Sequence, residues 1–235
     1  MKLRDYYSEN DGFIQFSREQ ASRFAKNVAG DFNPIHDPDS KRFCVPGDLL
    51  FACSLANFGL SEKMHVRFSG MVGAGVALDY RPSDAPVIPI TNDNGKEFLT
   101  ITRSGKQTDN PSLIANLTQQ YVAFSGFTFP HVLVPLMAAQ QVMVNPARPL
   151  IIYESMEINL QTLDLQSVSL EQCETRLAVS GKRGDAMLKF RLKSDGETVG
   201  SGYKTMVLSG LKPYNEAEMN ALVENYQSTK SAAAA

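Results

Sequence analysis

The chain has 235 residues, 43% of them hydrophobic and 20% charged, which supplies a packed core and excludes disorder as a description of the whole. Its 23 Lys and Arg against 25 Asp and Glu leave a net charge of -2 with no basic block, so nucleic acid is not an expected partner. No membrane span is expected either: MKLRDYYSEN has no apolar stretch behind its charges, and the longest purely apolar run, VLVPLMAA at 132–139, is far short of a spanning helix. A cytoplasmic protein is the expectation. Cys44, Cys53 and Cys173, an odd number without CxxC spacing, read as free thiols rather than a disulfide frame or a zinc site, and no metal or cofactor is implied.

In chain order, FSREQASRFAKNVAGD predicts an amphipathic helix of about three turns. Ser17 and Gln20 have capping-box spacing, and Ala21, Phe24, Ala25 and Val28 share one face before Gly30 stops it. DFNPIHDPDSKRF has no apolar period and is rich in Asp, Asn and Pro, so it predicts an ordered loop. VPGDLLFACSLANFG is apolar on nearly every face between Gly47 and Gly59 and predicts a helix buried all round. HVRFSGMV, GVALDYR, EFLTITRSG and SLIANLTQQYVAFSG then read as antiparallel strands. PHVLVPLMAAQQVMV reads as a second buried helix, with Met137 and Met143 in the core and Pro135 as a kink or first-turn residue. Four more strands follow: PLIIYESMEINL, SLEQCETRLAVSGKR, AMLKFRLKSDG and TVGSGYKTMVLSG. The order of buried helix then strands thus occurs twice, and Pro46 and Pro130 are 84 residues apart. This divides the chain into an N-terminal unit at 11–125, a C-terminal unit at 126–211 and a tail at 212–235 that forms a short surface helix and frays.

The chemistry concentrates in GDFNPIHDPDSKRF, where Asp31 and His36 lie five residues apart in a loop between two helices. A carboxylate and an imidazole at that spacing can face one small molecule and move its protons. Asn33 can hold the loop, and Pro34 keeps Asn33 extended. The plainer alternative is Asp31 capping a turn and His36 exposed on a polar loop. His65 and His131 read as boundary residues at the start of a strand and a helix. The glycines of GMVGAGVALDY lack the strand-turn-helix context of a phosphate site and mark a bend.

The same segment resembles the hydratase motif of MaoC-like hot-dog proteins, the (R)-specific enoyl-CoA hydratases and dehydratases: a Gly-Asp, an Asn-Pro, a His, an acidic residue, a Pro and a following Arg-Phe in register. At whole-chain level, VAGDFNPIHDPDSKRFCVPGDLLF also resembles a proteobacterial family classed as a domain of unknown function. The resemblance implies an α+β fold of the double hot-dog kind, each unit a curved antiparallel sheet wrapped around a buried helix. It implies Asp31 and His36 as the catalytic pair, with Asn33 supporting. Gly47 would open the N-terminus of the buried helix to a thioester oxygen, and Pro46 and Asp48 would flank the substrate. The implied partner is an acyl thioester of coenzyme A or an acyl-carrier protein, handled by a monomer or homodimer. The C-terminal unit, with VAFSGFTFPH where the motif would be, is expected to be catalytically empty and to wall the acyl tunnel.

The chain departs from the family after the motif. CVPGDLLFACSLA replaces the usual His-Gly continuation and is more similar to the Pro-Gly helix start of acyl-carrier dehydratases. Asp48 also puts a negative charge beside the implied oxyanion site. Two other functions therefore stand beside the hydratase or dehydratase: an acyl-thioester binding or sensing protein without turnover, and a hot-dog thioesterase in which Asp31 activates a hydrolytic water.

Overall fold

The computed structural model describes residues 2–234. A short hairpin of β1 (Ser8–Asn10) and β2 (Phe13–Gln15) leads into α1 (Arg18–Phe24). Both bonds of the capping box are present: the Ser17 hydroxyl accepts from the Gln20 N–H, and the Gln20 side chain accepts from the Ser17 N–H. The last turn, Ala25–Ala29, widens to π geometry and ends at Gly30, whose φ of 66° is the left-handed conformation that glycine adopts freely. After the loop come α2 (Gly47–Phe58), β3 (Leu60–Phe68), β4 (Leu78–Asp79), β5 (Val87–Thr91) and β6 (Glu97–Thr108). The second half holds α3 (Pro111–Thr128), a π turn at Phe129–Leu133, α4 (Val134–Ala139), β7 (Val142–Met143) and β8 (Ile151–Leu160). It closes with β9 (Ser169–Ser180), β10 (Arg183–Ser194), β11 (Glu197–Ser209), β12 (Lys212–Pro213) and α5 (Glu216–Ala234).

One seven-stranded antiparallel sheet, in the order β5-β6-β3-β8-β11-β10-β9, runs through both halves. Its seam is β3 against β8, paired from Lys63 with Asn159 to Arg67 with Ser155, so the two units share a sheet through backbone hydrogen bonds. β1, β2 and β4 form a separate three-stranded sheet in that order. Each unit wraps a helix. α2 buries Leu49, Leu50, Phe51, Ala52, Cys53 and Leu55, apolar around its circumference as a core helix must be. α3 buries Leu113, Leu117, Tyr121 and Val122, and the Tyr121 ring meets Phe51 of α2 edge to face at 5.0 Å. The protein is a double hot-dog of the α+β class.

The second unit differs from the sequence expectation in its helix. Residues 112–126, read as a strand, form most of α3, and the expected buried helix at 130–144 is a π turn, the short α4 and β7. The reason is visible in the residues. Asn110 caps the helix by accepting from the Ser112 and Leu113 N–H groups, Pro111 sits at the first helical position, and Leu113, Leu117 and Tyr121 recur every four residues. The 125/126 division consequently falls inside α3, and the two main helices are not 84 residues apart. With its continuation the helical run Pro111–Ala139 spans 29 residues and is long and apolar enough to cross a membrane by length and composition. Here one face of it packs against the core, through Leu113, Leu117, Tyr121, Val122, Val132, Leu133 and Met137. β5 was unexpected, and β3 begins earlier than read, placing His65 in mid-strand opposite Thr102 and Glu157. His131 is exposed in the π turn with its ring stacked on Phe127 at 4.0 Å.

Candidate active site

The Asp31 loop is held from three sides. From α1, Arg18 donates to the carbonyls of Pro38 and Ser40 and lays its guanidinium over Phe43, while Lys26 pairs with Asp37 at 2.7 Å. From α3, Gly126 presses on the loop's entry, where a Cβ would stand 1.5 Å from the Ala29 carbonyl oxygen. From α5, the Tyr226 hydroxyl donates to the Gly30 carbonyl and accepts from the Phe32 N–H, both at 3.2 Å.

Within the loop, Asp31 Oδ1 accepts from the Asn33 N–H at 2.9 Å, and Asn33 Oδ1 accepts from the Ile35 N–H at 3.2 Å, opening a 3-10 turn over Pro34–His36. Asn33 thus ties the loop to its own backbone. His36 is 8% exposed, not a surface residue, and its Nδ1 donates to the Cys44 carbonyl at 2.7 Å. A carbonyl only accepts, so the proton of the neutral ring is on Nδ1 and the free lone pair is on Nε2. That lone pair faces Asp31 Oδ2 across 3.7 Å, too far for a hydrogen bond between them. Two proton acceptors therefore stand side by side, and a water at about 2.8 Å from each can donate one hydrogen to each.

The pair opens on a cavity of about 310 Å³ whose apolar wall includes Ile35, Leu50, Phe68, Val72, Ile152 and Met206. Pro46, Gly47 and Asp48 also border it, as does Cys44, whose thiol burial pushes up to about 11 and so keeps protonated. A second cavity of about 80 Å³ shares Asp31, Asn33, Ile151, Lys204 and Met206 with the first. The C-terminal unit supplies part of the wall through Ile151, Tyr153, Lys204 and Met206, although it carries no Asp-x4-His loop. Among the described residues no group of three or more His, Cys, Asp or Glu side chains is placed to hold a metal ion.

Gly47 begins α2 as expected, but the space a Cβ would fill is taken by the Tyr153 ring, 2.5 Å away. Asp48 does not leave an uncompensated charge at the helix start. It is 5% exposed, accepts from the Ser125 hydroxyl through Oδ2 at 2.5 Å, and has Lys204 Nζ 3.6 Å from Oδ1. Burial pushes the Asp48 carboxyl above the usual range, against the pull of Lys204 and Ser125, and the nearby Asp31 carboxylate raises it further. The two polar centres thus act in one electrostatic field. Lys204 and Ser125 were not singled out from sequence. The signal was there for Lys204: it shares the alternation of Gly202, Met206 and Leu208, the inward face of β11.

Among solved structures the chain is similar to a conserved protein of unknown function with hot dog fold from Alicyclobacillus acidocaldarius, at 11% identity and TM-score 0.49 over 91% of this chain and 99% of that one. It is similar to a tesB protein of Mycobacterium avium subspecies paratuberculosis, at 10% identity and TM-score 0.45 over 88% and 97%. It is also similar to an acyl-CoA thioesterase II from Mycobacterium marinum, at 9% identity and TM-score 0.41 over 92% and 100%. No curated protein matches the sequence. Residues 1–217 match the family described as protein of unknown function DUF3581, and the chain belongs to that family.

Proposed function

We propose that this chain acts on acyl thioesters of coenzyme A or an acyl-carrier protein through a water held between Asp31 and His36, and that it adds that water to, or removes it from, a 2-enoyl double bond. The observation that carries the reading is the facing of Asp31 Oδ2 and His36 Nε2, both proton acceptors, beside an apolar cavity. In the hydration direction the water oxygen attacks C3 of the enoyl group while one of its protons passes to the pair. Electron density moves to the thioester carbonyl as an enolate, and the stored proton returns to C2, so that H and OH are added and nothing else is consumed. The resemblance of GDFNPIHDPDSKRF to the hydratase motif supports the same assignment.

The cavity volume lies at the small end of ligand pockets, which suits short acyl chains. A second reading, hydrolysis of the thioester by the same water, is favoured by a buried lysine beside the cavity, because a tetrahedral oxyanion concentrates more charge on oxygen than an enolate does. The two are separated by product: loss of the enoyl absorbance of crotonyl-CoA without free thiol means hydration, and thiol release means hydrolysis. Binding of the thioester with neither product, at any chain length, leaves the acyl-binding protein in their place.

A further inference from the structure

Lys204 is 4% exposed and borders both cavities, at the wall they share with Asp31. Its ammonium carries three N–H donors. The Ser125 hydroxyl takes one, the Tyr153 ring lies beneath the nitrogen with its centroid 3.9 Å away, and Asp48 Oδ1 stands at 3.6 Å, which compensates charge without closing a hydrogen bond. Asp48 Oδ1 in turn has no hydrogen-bond partner among the described residues. The pair is neutral in sum and incomplete in hydrogen bonds. Keeping a lysine and an aspartate buried in that form works against stability, which is the pattern of a site built for a ligand rather than for the core.

What the ligand brings follows from the surroundings. A buried ammonium with a spare donor, next to a water-activating pair and at the first turn of α2, suits an oxygen that gains negative charge. The open side of Gly47, which would let that oxygen approach the helix start, is filled by the Tyr153 ring. We propose that Lys204 donates to the carbonyl oxygen of the bound thioester, and that Ser125, Asp48 and Tyr153 hold its ammonium for that task. This rests on the reading of the cavity as an acyl-thioester site. Lys204 is then a catalytic residue contributed by the unit that lacks the motif, and each chain needs both of its units to turn over substrate.

Isotope-edited infrared spectroscopy of crotonyl-CoA labelled with 13C at the carbonyl tests this directly, in an Asp31→Asn background that slows turnover enough for the bound substrate to be observed. The carbonyl stretch is expected to move to lower frequency on binding, and the shift is lost in Asp48→Asn/Lys204→Gln, which removes both charges together and leaves neither orphaned. Lys204→Arg, which keeps a charged donor, retains part of the shift. With Asp31 intact, the same double variant should lower kcat on the order of 10²- to 10³-fold with little change in KM. An equal shift in the double variant, or none with Lys204 present, overturns the role of Lys204 and leaves the thioester reading standing. Failure of the thioester to bind at all overturns both.

Discussion

The hydroxyl of Tyr226 bridges the two peptide groups on either side of Asp31, donating to the Gly30 carbonyl and accepting from the Phe32 N–H across nearly two hundred residues of sequence. Its ring is wedged against Phe32 and Phe129. The C-terminal helix therefore sets the position of the loop carboxylate. Tyr226→Phe keeps the packing and removes both bonds, leaving a buried N–H without that partner. The expected cost is about 1–3 kcal/mol in denaturant unfolding, with a fall in kcat and little change in KM as Asp31 loses its alignment with His36. Unchanged kcat in a destabilised protein would reduce Tyr226 to a structural tie.

Gly126 makes the same point from the other side. α3 can cross the turn before Gly30 only because no Cβ stands between it and the Ala29 carbonyl. Gly126→Ala must push helix and loop apart, with an expected cost of roughly 1–3 kcal/mol or more and loss of activity. A variant with wild-type stability and rate would show that the approach is slack.

Lys204 and Asp48 can be apportioned by a double-mutant cycle. Lys204→Met alone strands a buried carboxylate and is expected to cost about 3–5 kcal/mol, whereas Asp48→Leu/Lys204→Met is expected to be neutral or more stable than wild type. Additive losses in the double variant would mean that the pair itself holds the fold together.

The raised Asp48 carboxyl also has a pH signature. Between its ordinary value of 3.8 and its raised value in the fold, the folded protein keeps a proton that the unfolded chain has lost, so this group makes stability fall as pH rises through that window. Asp48→Asn should remove that downward slope whatever it does to the absolute level. Urea midpoints measured across the acid range for the two proteins check it, and parallel profiles would contradict it.

The first unit was legible because its signals were local. The Ser17 capping box and the apolar circumference of α2 each lie within one segment and stand where they are expected, and Asp31 and His36 share one short loop that brings their side chains to 3.7 Å. The second unit misled because SLIANLTQQYVAFSG is rich in residues that strands also favour, and its cap, Asn110 followed by Pro111, stands just outside the apolar run. The charge expected to trouble the helix start found its answer in Lys204, more than 150 positions away, where only the phase of an alternating strand marks it as buried. Tyr226 had no local signal at all. An exposed-looking amphipathic tail gives no sign of which tyrosine will turn inward until the fold brings it to the loop.

The most direct test of the central claim is the hydration of crotonyl-CoA by the wild type beside Asp31→Asn and His36→Ala, followed by loss of enoyl absorbance. The wild type is expected to consume the substrate, and each variant to lose on the order of 10²- to 10⁴-fold in rate while remaining folded. Turnover that survives either substitution would contradict the pairing of Asp31 and His36 around one water.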